Sequence, residues 1–158
     1  YSESKLVAVR YPRGAQRAIP ESIKPTFADF DVFGDENAEK AIITYGRTFS
    51  ACAFAYEKLV NSGESVKLIK LNRIIPVCEG AVEAAKDCRD VYFFEEGIRR
   101  GGAGEGFLFD LSKAGFSGKY PLRAIENGFV KQASVESLLH KYGFDEEGVL
   151  SFVTSAEA

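Results

Sequence analysis

Tryptophan and methionine are absent from the 158 residues, and histidine occurs once, at His140. A lone histidine with no serine, cysteine or aspartate arrangement beside it builds neither a nucleophilic triad nor a zinc site. Cysteine is sparse as well: Cys52, Cys78 and Cys88 form no Cys-x-x-Cys pair. That spacing argues against a disulfide framework and for reduced thiols of a cytoplasmic protein that fill small apolar spaces. No apolar run approaches the roughly 20 residues that cross a bilayer, so no membrane span is expected. Positive charge is not in excess either, with 20 Lys and Arg against 23 Asp and Glu and a net charge of -3. Nothing in that balance favours a nucleic-acid partner.

What is present is the composition of a folded domain, 46% hydrophobic and 27% charged. A chain of this length buries about two-thirds of its unfolded surface around one core. Residues 6–10 (LVAVR) read as a short strand stopped by Pro12 and Gly14. Residues 15–38 carry Pro20 and Pro25 with no sustained period and read as a linker or arm, with an edge strand near Asp29–Phe33. The compact part runs over residues 39–158. In it, AIITY (41–45), Val66–Leu71, DVYFFE (90–95) and Pro121–Ile125 read as core strands, the second of them alternating in polarity. Helices are expected from Thr48 or Ser50 as cap to about Asn61, over 79–86, from the glycine-rich turn to about Ala114, and over 134–142 and 145–156, with Ser134 and Asp145 as caps. Strands alternating with helices imply a three-layer α/β/α fold around a mostly parallel sheet of five strands.

Four groups of residues are candidates for chemistry. The segment GGAGEG (101–106) follows a strand and opens a helix, where free amides hold phosphates. Its spacing is not that of a dinucleotide fingerprint, and Glu95, Glu96 and Glu105 crowd the same end, which favours close backbone packing. Glu95 and Glu96 are neighbours on a strand and point to opposite faces, so they form no acid/base pair; one of them caps the next helix or meets Arg99 or Arg100. Arg10 and Arg13 flank Tyr11-Pro12, and a guanidinium fork held by such a turn suits either a phosphate monoester or an ion pair. His140, near a helix end, meets terminal carbonyls or faces water.

Taken together, RYPRG (10–14), AIITYGR (41–47), VKLIKLNRIIP (66–76), EEGIRRGGAGEG (95–106), ENGFVKQAS (126–134) and LLHKYGFDEEGV (138–149) resemble the last quarter of 1-deoxy-D-xylulose-5-phosphate synthases. The chain differs from that family's usual pattern at Ile75–Cys78, at Ile125–Asn127 and at Gln132-Ala133. The resemblance implies a transketolase C-terminal type of domain over 39–158, with residues 1–14 as the tail of an upstream pyrimidine-binding domain. It implies a cytoplasmic, homodimeric parent in which upstream domains of the same polypeptide hold thiamine diphosphate and Mg2+, the cofactor being the electron sink for joining pyruvate to D-glyceraldehyde 3-phosphate with loss of carbon dioxide. The start at Tyr1 rather than methionine fits the loss of those domains, and the isolated chain is expected to be inactive. By the same resemblance, Arg13 contacts the aldehyde's phosphate, Arg10 supports the turn, and no residue here is catalytic or touches the cofactor. A transketolase, a 2-oxo acid dehydrogenase β subunit and a non-catalytic assembly module with the same fold remain alternatives.

Overall fold

The computed structural model describes residues 6–9, 11–12, 17–126 and 128–155. Its centre is a sheet of five strands in the order β1-β3-β2-β4-β5. Strands β2 (Lys40–Tyr45), β3 (Val66–Leu71), β4 (Asp90–Ile98) and β5 (Leu122–Ile125) run parallel. β1 (Phe30–Phe33) closes one edge antiparallel to β3, with Phe30 opposite Leu71. This is the edge strand expected near Asp29–Phe33. The inner strands are buried on both faces, which is why AIIT and VYFF are near-continuous apolar runs.

The expected alternation in β3 is not seen. Lys67, which a half-exposed strand would turn to solvent, is buried, and its ammonium donates to the carbonyls of Glu36 (2.7 Å) and Ala84 (2.6 Å). A buried lysine persists only when its donors are satisfied in this way.

Helices α1 (Thr48–Asn61) and α5 (Glu146–Ser155) cover one face, packing with Ile42, Tyr92 and Phe94. Helices α2 (Glu79–Ala85) and α3 (Ala103–Lys113) cover the other, against Ile43, Ile69 and Phe93. The alternation of Ile42 and Ile43, and of Phe94 and Phe93, between the two cores follows from the two-residue period of a strand. Helix α4 (Val135–Tyr142) lies near β5, where Arg123 donates to the Tyr142 carbonyl at 3.3 Å while its guanidinium sits 4.2 Å from the Phe152 ring centre of α5.

Two local expectations change. The LVAVR strand is not formed over residues 6–9, where Leu6, Val7 and Val9 are exposed and without regular structure. β-branched residues favour a strand only where a neighbour supplies ladder partners. Neither Thr48 nor Ser50 caps α1, whose N-cap is Arg47 with no side-chain cap bond. Instead the Thr48 hydroxyl donates back to the Tyr45 carbonyl (2.8 Å), and that of Ser50 reaches the Ala18 carbonyl (2.6 Å). The latter bond pins the preceding arm to α1. Ile23 of that arm enters the α1 core, 4% exposed.

Candidate functional site

Strand order reverses between β2 and β4, because β2 leads through α1 to β3 on one side and β3 leads through α2 back across β2 to β4. In open α/β sheets the crevice at the carboxyl end of such a reversal is where ligands collect. Tyr45 ends β2 there, and Glu95 lies opposite in β4. The glycine-rich turn and the first turn of α3 complete the crevice.

Glu95 occupies it. Its side chain is fully buried. Oε2 accepts from the Ala103 amide (2.9 Å) and the Tyr45 hydroxyl (3.0 Å), and Oε1 accepts from the Gly104 amide (3.1 Å). The carboxylate thus satisfies orphan donors of α3 and places negative charge at the positive end of its dipole. Close approach explains two of the glycines: a Cβ on Gly102 would collide with Glu95 Oε1, and one on Gly104 would sit 2.5 Å from Leu122 Cδ1 and 3.0 Å from Phe93 Cδ1. The Gly101 amide donates to Glu105 Oε2 at 2.7 Å. The Tyr120 hydroxyl donates to the Gly104 carbonyl (2.8 Å), and burial, reinforced by the nearby Glu95 charge, pushes that phenol far above its ordinary pKa. The turn that resembles a phosphate cradle therefore has the amides of Gly101, Ala103 and Gly104 committed to the chain's own carboxylates and that of Gly102 to the Arg99 carbonyl. A phosphate does not fit there.

Glu96 points the other way, to solvent, as the strand period demands. The two carboxylates do not converge. Glu95 is the one that caps the next helix, while Arg99 pairs with Glu126 (2.7 Å) and donates to the Leu122 carbonyl (2.7 Å). Glu96 instead borders a cleft of about 230 Å³ with Arg47, Ile125, Val130, Leu139 and Phe144.

The remaining candidates are not brought into the crevice. His140 Nδ1 lies 2.6 Å from Asp145 Oδ2, across the α4–α5 corner, so its partner is a carboxylate rather than a helix carbonyl. That hydrogen bond and the carboxylate's charge raise its pKa. Cys52 lies on the buried face of α1, with its thiol pushed up to about 12 by burial, and is inert at neutral pH. Among the described residues no group of three or more His, Cys, Asp or Glu side chains is placed to hold a metal ion, and no helix is long and apolar enough to cross a membrane. Arg10 and Arg13 lie outside the described residues. The sequence reading missed the two tyrosines of the crevice. Tyr45, ending a buried strand, and Tyr120, just before β5, each carry a hydroxyl that needs a partner when buried, and that requirement is the signal that marks them.

These features define a three-layer α/β/α domain with one antiparallel edge strand and a glycine turn filled from within. Residues 34–149 match the family described as "Transketolase, C-terminal domain", and the chain belongs to that family. Similar curated proteins are the 1-deoxy-D-xylulose-5-phosphate synthases of Shouchella clausii, 25% identical over 94% of this chain and 24% of that protein, and of Halalkalibacterium halodurans, 29% identical over 93% and 24%. That of Bacteroides fragilis is 28% identical over 93% and 23%. The chain spans about a quarter of the length of these relatives. Among solved structures, a split gene transketolase described as an inactive beta4 tetramer superposes with a TM-score of 0.71 at 21% identity, covering 87% of this chain and 45% of that one. The transketolase of Campylobacter jejuni gives 0.63 at 12% identity, over 88% and 20%.

Proposed function

We propose that this chain is the C-terminal domain of a thiamine-diphosphate-dependent synthase that joins pyruvate to D-glyceraldehyde 3-phosphate, forming 1-deoxy-D-xylulose 5-phosphate and carbon dioxide in the cytoplasm. The observation that carries this reading is the reach of the similarity. It extends over 94% of the chain, well beyond the residues matched by the family, and the relatives it reaches bear that synthase's name. The domain's part is assembly. Thiamine diphosphate and Mg2+ belong to upstream domains of a homodimeric parent, a placement supported by the committed amides of the 101–104 turn, which leave no cradle for a diphosphate. Arg13 is assigned to the phosphate of the aldehyde substrate, with Arg10 supporting the turn.

The test is carbon dioxide release from pyruvate by the full-length polypeptide with thiamine diphosphate and Mg2+, with and without D-glyceraldehyde 3-phosphate. Aldehyde-dependent release yielding the deoxyxylulose phosphate is expected. Ketol transfer between sugar phosphates without decarboxylation would replace this reading with that of a transketolase. In the same enzyme Arg13→Ala should raise the KM for the phosphorylated aldehyde while leaving that for pyruvate and for an unphosphorylated aldehyde nearly unchanged. Equal losses for both aldehydes would remove Arg13 from the phosphate site.

A further inference from the structure

Among the described residues, large exposed apolar side chains such as Phe27, Ile75 and Phe109 are scattered, but in two stretches several fall close together. One is the entering segment, with Leu6 103%, Val9 59% and Tyr11 85% exposed; the other is Phe129 at 104%, Val130 at 43% and Val135 at 38%. Scattered exposed apolar residues are ordinary, but a run of them at the mouth of an apolar cleft marks a surface that another body covers. Val130 and Val135 line the 230 Å³ cleft, with Ile125 and Leu139 behind them and the charged Arg47 and Glu96 also on its wall. Residues 128–134 are neither helix nor strand. Val130 is turned to the cleft, and its neighbour Phe129 stands fully in solvent.

The entering chain is brought to the same place. Arg17 Nη2 donates to Glu136 Oε1 at 3.3 Å, and Glu136 sits in the first turn of α4 next to Val135. Arg17, at the start of the arm, is therefore tied to the first turn of α4, whose Val135 lines the cleft. The relatives' own length leaves about three-quarters of such a polypeptide outside this chain, since the matched part is 24% of theirs. On the reading that the chain is one domain of a longer protein, we infer that the cleft and the Phe129 segment are the seat for the domains that precede it. The partner surface is apolar, and Phe129 is the side chain that enters it.

The experiment compares the 158-residue chain with the full-length polypeptide, each with and without Phe129→Asp. Hydrogen exchange of the amides over 128–136 should be fast in the short chain at every concentration and at least about tenfold slower in the full-length protein. Phe129→Asp should leave the melting temperature of the short chain unchanged. In the full-length protein it should abolish the added protection. Protection in the short chain that grows with concentration would assign the cleft to a second copy and overturn the inference. So would an absence of added protection in the full-length protein, or a fall in the short chain's melting temperature on substitution. The readout does not depend on catalysis, so a full-length protein that shows the protection but decarboxylates nothing would sink the synthase reading and leave this one standing.

Discussion

Glu95 accepts from three donors in the crevice: the amides of Ala103 and Gly104 and the hydroxyl of Tyr45. Replacing it with alanine takes the acceptor away from the two amides that open α3. Each buried donor without a partner costs about 1–3 kcal/mol, so Glu95→Ala should lower stability by at least about 2 kcal/mol in chemical denaturation. Glu95→Gln should fall between, because the carboxamide keeps one acceptor oxygen but turns an NH2 group towards an N–H. Equal losses for the two variants would show that acceptor chemistry is not what Glu95 contributes. That Glu95 and Glu96 face opposite ways was readable from the strand period alone. Which of them turns inward was not, because the choice depends on Tyr45, 50 residues away in sequence.

The α4–α5 corner gives the corresponding prediction for an element. Gly143, with φ of 71° in the left-handed region, ends α4, and Asp145 opens α5 by accepting from the Gly148 amide at 2.9 Å. His140 closes the corner onto Asp145. A histidine whose pKa is raised in the fold contributes fully below its ordinary value of 6.5 and loses the contribution as pH rises through the folded value. Burial works against the charged form of Asp145, but hydrogen bonds from His140 and the Gly148 amide hold its carboxyl below 3.8. Its contribution is therefore present above that value and lost as pH falls through the folded one. The clasp is complete between about pH 4 and 6.5. Because the chain has one histidine, a single imidazole NMR titration should read above 6.5 and return towards it in Asp145→Asn; an unchanged titration would mean that the pair does not form. Ser134 and Asp145 cap their helices as the sequence indicates, since each is the nearest acceptor to its orphan amides. Thr48 and Ser50 do not, since the Tyr45 carbonyl and the distant Ala18 carbonyl compete for their hydroxyls. β4 outruns its expected end at Glu95 because Ile98 pairs with Ile125, a contact that its own segment does not announce.

At the scale of the molecule the layered plan was legible because each buried strand is an apolar run bounded by helix and turn signals. The arm was less so, since Ile19 and Ile23 pack on the α1 core from a stretch without period. The same plan leads to a prediction about the chain as a whole. With the turn amides occupied by Glu95 and Glu105, calorimetric titration of the 158-residue chain with thiamine diphosphate and Mg2+ should give no saturable heat, and saturable binding would overturn the assignment of the cofactor to upstream domains. Glu95 is in effect a tethered ligand that cannot diffuse away. A free anion competing for those amides meets a rival whose effective concentration is set by the geometry of the chain rather than by supply. Metabolite phosphates therefore compete for the turn at a disadvantage, and a domain of this kind would acquire an anion site there by shortening Glu95 and Glu105, the two side chains that hold its amides.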